Sequence, residues 1–185
     1  MRHLLLSLIL GVGTALPVLA DTCPEAPDNS QALEALIAAA QAAPDQQAGR
    51  EISNAMWEYW TVAPDQYAQE LLDTGMERRE AYDFAGALKA FHALVDYCPD
   101  YAEGYNQRAF AHFLREEYAE ALPDLERAIT LVPQHVAART GLALTLMRLQ
   151  RTGEAALALR AALEMNPWLG ERSLLPVLEA MEQEL

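Results

Sequence analysis

Across 185 residues, 27 Asp and Glu stand against 13 Lys and Arg, a formal net charge of −14. A chain this acidic offers no basic face to phosphate backbones or anionic lipid, which excludes nucleic acid as a partner and excludes electrostatic membrane binding. The two cysteines form no Cys-x-x-Cys pair, so a thioredoxin-like redox motif is excluded as well.

The stretch from Met1 to Ala20 reads as a cleavable secretory leader. Arg2 and His3 precede an apolar run over 4–12, Gly13 and Pro17 break it, and Val18, Leu19 and Ala20 form a peptidase site, so the mature chain is expected to begin at Asp21. An uncleaved anchor would need about 20 apolar residues without such breaks. Asp21 and Thr22, directly before Cys23, argue against lipid attachment at that cysteine. No later run is long enough to span a bilayer, so no stable membrane insertion is expected after cleavage, and the destination is periplasmic or secreted. In that oxidising setting Cys23 and Cys98 are expected to pair, the alternative being two free thiols.

After a short polar arm at 24–29, Leu33, Leu36, Ile37 and Ala40 fall at i, i+3, i+4 and i+7, which predicts a helix opened near Asp28 to Ser30 and ended by Pro44. A second helix is expected at 45–62, with Ile52, Met56, Tyr59 and Trp60 on one face and Pro64 beyond it. Six more follow, at 65–82, 84–97, 101–115, 118–132, 135–149 and 154–165, with Asp65 and Asp100 as N-caps and Pro123 inside the fourth. The last helix, 173–185, sets Leu174, Val177, Leu178 and Met181 against Glu171, Glu179, Glu182 and Glu184. One apolar and one acidic face suit a helix that closes the end of a stack. A membrane-surface helix would carry Lys or Arg there instead.

The six central helices repeat one pattern. Pro99, Pro133 and Pro167 recur at one constant interval, and the same interval separates Ala87, Ala121 and Ala155; Phe91, Leu125 and Leu159; Leu94, Ala128 and Ala162; and Gly75, Ala109 and Ala143. The small residue lets a first helix approach its partner, the next columns form the facing stripe of a second helix, and the proline stops it. This pattern resembles the tetratricopeptide repeat, a helix–turn–helix unit that stacks into a solenoid. The resemblance implies an all-α, right-handed α-solenoid: an N-terminal arm and divergent helical pair over 21–64, three repeats over 65–169 and a capping helix over 170–185. Together with the leader it points to a small exported bacterial member of the family. Trp57, Tyr59 and Trp60 are expected to seal the open end of the stack, with an aromatic binding platform as the alternative.

The resemblance also implies a concave wall built from the first helix of each repeat. Here its candidate binding residues are Gln69, Leu72, Met76 and Arg79, then Asn106, Phe110 and Phe113, then Leu144, Met147 and Arg148. A largely apolar wall with an Asn near its middle suits an extended peptide whose main chain rests on Asn106. Family members that grip a C-terminal carboxylate use Lys, Asn and Arg at positions that hold Leu72, Met76, Gln107, Ala137 and Gly141 in this chain, so that grip is not expected.

Catalytic chemistry finds no motif. His92, His112 and His135 fall at three different points of their repeats, His-x3–5-His spacing is absent, and there is no nucleophile elbow, phosphate loop or dinucleotide fingerprint. No catalytic, metal or cofactor residue is therefore expected. The reading is a non-enzymatic protein–protein interaction scaffold of the cell envelope that binds a peptide or protein partner. The alternative is a structural subunit that forms a homodimer through the groove or the cap.

Overall fold

The computed structural model describes residues 22–183, so the predicted leader and its cleavage point lie outside the described residues. Every regular element among them is helical: α1 (Ser30–Ala42), α2 (Gln46–Trp60), α3 (Gln66–Glu80), α4 (Phe84–Tyr97), α5 (Ala102–Leu114), α6 (Tyr118–Leu131), α7 (Val136–Arg148), α8 (Thr152–Met165), a 3-10 turn at Gly170–Leu174 and α9 (Leu175–Gln183). From α3 to α8 each helix packs on the next, which is the solenoid.

Local chemistry starts and stops these helices. Asp45, Asp65 and Asp83 open α2, α3 and α4, each carboxylate accepting the backbone N–H three residues on, at 3.0, 2.8 and 2.9 Å. Such a cap is worth about 1 kcal/mol. Asp100 does not take that role at α5: Tyr101 is the N-cap residue without a side-chain cap bond, and Asp100 pairs with Arg127 at 2.9 Å instead. The helices α3, α5 and α7 end alike, on Tyr82, Glu116 and Gln150 with φ of 61°, 62° and 61°. In each case the following N–H reaches back to the last turn, Asp83 to the Arg78 carbonyl, Glu117 to His112 and Arg151 to Leu146, at 2.8 to 2.9 Å. A side chain in this left-handed region costs about 1 kcal/mol, so three equivalent turns carry the same small strain.

The repeating columns are the core. Ala87, Phe91 and Leu94, Ala121, Leu125 and Ala128, and Ala155, Leu159 and Ala162 are all buried. The sizes are matched within each repeat. A Cβ on Gly75 would lie 2.3 Å from the Phe91 ring, so the largest facing residue has the smallest partner. Where the facing residue is Leu125 or Leu159, the partner position holds Ala109 or Ala143.

The N-terminal pair departs from expectation. The helices α1 and α2 do not seal the outer side of α3 and α4. They fold back onto the third repeat, where Leu33, Ala40, Met56 and Trp60 cluster with Val136, flanked by Met165 and Leu169. Trp60 stacks on His135 with ring centroids 4.3 Å apart. Gln41 donates to the Glu164 carbonyl at 2.7 Å and Asn166 to the Ser53 hydroxyl at 2.8 Å. Gly49 makes the approach geometrically feasible, because a Cβ there would sit 2.3 Å from the Trp168 side chain. The pair thus has two places to bury its apolar face, and the start of α7 at Val136 with the loop at Trp168 wins.

Cys23 and Cys98 are disulfide-bonded, with Cα atoms 5.1 Å apart, which ties the arm to the end of the first repeat. At the other terminus α9 packs on α8 through Leu178, flanked by Leu174 and Leu175. Val177 and Met181, expected on the same face, are 55% and 44% exposed, because Leu174, Leu175 and Leu178 take the side that packs on α8. Among the described residues no helix is long and apolar enough to cross a membrane.

Candidate interaction groove

The first helices of the three repeats, α3, α5 and α7, lie side by side. Between them runs a cavity of about 350 Å³ lined by Arg79 from α3, Asn106, Phe110 and Phe113 from α5, and Thr140 and Leu144 from α7. Trp57 of α2 and Leu169 and Glu171 beyond α8 supply further wall. Phe110 is 44% exposed, an apolar ring left open to solvent in the middle of the concave face.

Five of the ten predicted residues, Arg79, Asn106, Phe110, Phe113 and Leu144, are brought together in this cavity. The other five lie elsewhere. Leu72 is fully buried in the first-repeat core with Phe91, Leu94 and Cys98, where burial is worth about 2 kcal/mol that a groove position would forfeit. Met76 packs against that same core, and Met147 against the third-repeat core around Leu146 and Leu159. The Gln69 side chain accepts from the Ala63 N–H at 3.0 Å and donates to Asp73 at 2.9 Å, which spends it on the start of α3. The Arg148 guanidinium covers the Tyr118 ring, 5.0 Å from its centroid.

Beneath the groove lies a buried polar network. Glu103, 1% exposed, accepts from Asn106 at 3.1 and 3.2 Å, from Gln107, and from His135 Nε2–H at 2.8 Å. The Ala138 N–H donates to His135 Nδ1 at 3.2 Å, which fixes the tautomer with its proton on Nε2. Arg79 donates to Gln107, lies 4.9 Å from the Phe110 ring centroid and approaches Glu80 at 3.9 Å. Burial pulls the Arg79 guanidinium below its ordinary pKa, and the charges of Glu80 and Glu103 oppose that shift. Two consequences follow for the groove. Asn106 donates from its amide nitrogen to Glu103, so that nitrogen is already engaged before any ligand arrives. Arg79 is held in one orientation by aromatic, amide and carboxylate neighbours together.

The fold and this groove define a helical solenoid with an apolar concave face. A family profile described as tetratricopeptide repeat matches residues 72–135 and 112–167, together more than half of the chain. The chain belongs to the tetratricopeptide repeat family. It is similar to the tetratricopeptide repeat protein 36 homolog of Nematostella vectensis, 44% identical over 71 residues, 38% of this chain and 39% of that protein. Tetratricopeptide repeat protein 36 of Mus musculus is 46% identical over 57 residues, 31% of each chain. The chain thus spans about two fifths or less of these curated relatives. Among solved structures, the first tetratricopeptide domain of Spaghetti (RPAP3), bound to the HSP90 peptide SRMEEVD, superposes with a TM-score of 0.62 at 22% identity, covering 64% of this chain and 94% of that one. MamA from Desulfovibrio magneticus RS-1 superposes with a TM-score of 0.59 at 15% identity, covering 86% and 88%. At these identities the likeness is one of fold.

Proposed function

We propose that this chain is a non-enzymatic interaction scaffold, exported to the cell envelope, that receives an apolar segment of a partner protein in the groove around Phe110. The observation that carries the reading is that ring, 44% exposed within a cavity that Phe113, Leu144 and Trp57 also line. An apolar cavity of this kind on a monomer's surface is what a docking site offers. A solved relative of the same fold holds a peptide, SRMEEVD. That acidic ligand is not the one proposed here, because the positions of the family's carboxylate grip hold Leu72, Met76, Gln107, Ala137 and Gly141. Export is supported by the leader-like sequence pattern at 1–20 and by the Cys23–Cys98 bond, which persists in oxidising compartments.

The test is selection of binders from a display library of natural envelope-protein fragments on the oxidised protein, with Phe110→Asp as control. Phe110→Asp adds a charge at a half-open site and is expected to leave the helical signal intact while abolishing capture. Binders that persist on the variant place the docking surface elsewhere. Enrichment of this chain's own fragments alone replaces the external partner with a second copy.

A further inference from the structure

Among the described residues no group of three or more His, Cys, Asp or Glu side chains is placed to hold a metal ion. Packing nevertheless brings together two histidines that fall at different points of their repeats. The rings of His92, on α4, and His112, on α5, lie with centroids 6.2 Å apart and planes at 79°. Their hydrogen bonds follow one rule. His92 Nδ1–H donates to the Leu88 carbonyl at 2.6 Å, and His112 Nδ1–H donates to the Glu117 carboxylate at 2.8 Å. A carbonyl oxygen can only accept. Glu117 stays an acceptor too, because hydrogen bonds from Arg115 and His112 hold its carboxyl below its ordinary pKa.

A neutral ring bonded in this way keeps its one proton on Nδ1 and leaves a lone pair on Nε2. Neither Nε2 makes a hydrogen bond among the described residues. Two neighbouring rings of the same tautomer cannot satisfy each other through Nε2, since neither has a proton there to give. A cation that accepts both lone pairs can. Histidines that ligate metals almost always donate their second N–H to a carbonyl or a carboxylate, which fixes the tautomer and raises the basicity of the ligating nitrogen; His92 has the first kind of partner and His112 the second. With Nε2–metal bonds of about 2.0–2.1 Å, one ion held by both rings sets their centroids about 5 to 6.4 Å apart as the angle at the metal opens from tetrahedral to linear. The observed 6.2 Å falls near the open end of that span, and His92 is exposed, so its ring can close the difference without disturbing the core. Imidazole nitrogens suit zinc, nickel and copper, whereas magnesium and calcium prefer oxygen. We infer that His92 and His112 form a two-histidine site for a divalent transition-metal cation, with water completing the coordination and Glu117 as the positioning residue behind His112. No residue of α4 lines the groove around Phe110, and the site does not depend on that groove.

Zinc chloride titrated into the oxidised protein, followed by calorimetry and by the imidazole nitrogen resonances, tests this. One equivalent is expected to saturate, shifting the Nε2 resonances of His92 and His112 and leaving that of His135, which donates from Nε2 to Glu103, in place. His92→Ala and His112→Ala are each expected to weaken binding tenfold or more. Undiminished binding by His92→Ala, whose exposed position spares the fold, overturns the site whatever becomes of His112→Ala. Displacement of the zinc by an equal concentration of magnesium also overturns it, because the ion would then be held by carboxylates alone. Glu117→Gln is expected to weaken zinc about tenfold and, in the metal-free protein, to move the His112 ring toward the tautomer protonated on Nε2. Full affinity in that variant overturns the positioning role of Glu117.

Discussion

The repeats from α3 to α8 and the pair formed by α1 and α2 are built from the same kind of amphipathic helix, yet they bury their apolar faces by different rules. In the repeats each facing column meets a neighbour next in sequence: Phe91 fills the notch at Gly75, and Leu125 and Leu159 face Ala109 and Ala143. In the N-terminal pair Trp60 lands on His135 and Gly49 receives Trp168, contacts that reach across two or more repeats of intervening chain. Nearest-neighbour packing is written locally, whereas fold-back packing depends on which distant surface remains uncovered once the repeats have stacked.

The comparison breaks most completely at the disulfide, the covalent tie between the two regions. In the chain-entropy view, closing a loop with a sequence separation of 75 contributes about 4.5 kcal/mol. Urea unfolding of Cys23→Ser with Cys98→Ser is expected to show a loss approaching that size, and a loss under about 1 kcal/mol would mean that the arm is tethered by α1 and α2 alone.

A smaller effect separates the two packing rules directly. Gly75→Ala drives a Cβ into Phe91 and is expected to cost about 2–3 kcal/mol, most of it recovered by adding Phe91→Leu, which recreates the pairing of the next two repeats. Gly49→Ala meets Trp168 just as closely, but its cost should appear as undocking of α1 and α2, read as faster amide exchange there with protection in α5 to α8 unchanged. If exchange rises throughout the molecule, the pair is an integral part of the stack rather than a docked element.

The smallest effect tests the shared turn. Gln150 adopts φ of 61° at the end of α7, and Gln150→Gly relieves that conformation. A gain of about 1 kcal/mol in thermal or urea unfolding is expected, offset in part by the greater freedom of glycine in the unfolded chain.

Much of the groove was legible through the resemblance, and two of the residues that were not, Leu72 and Met76, share a cause. Phe110, Phe113, Asn106, Arg79 and Leu144 sit where a regular repeat puts them. Leu72 and Met76 belong to the first repeat, and their faces turn to a core that includes Ala63 and Tyr101, flanked by Cys23, residues contributed by non-repeating or bridging segments. Trp57 carried a visible signal as part of an aromatic cluster, but its position at the groove depends on the fold-back of α2. Nothing in the sequence pairs Glu103 with His135, since each is an ordinary polar residue until stacking brings them to 2.8 Å.

The sequence by itself determined the helices, the constant period of the repeats, the columns that pack each repeat on the next and the candidate pair of cysteines, because each rests on spacing and side-chain size read directly along the chain. The tertiary structure decided where α1 and α2 dock, which half of the predicted wall is open, the buried Glu103 network and the meeting of His92 with His112. Those depend on surfaces that exist only after the repeats have assembled, when the free energy of covering one apolar face against another, at about 25 cal/mol per Å², selects among contacts that spacing alone leaves equivalent.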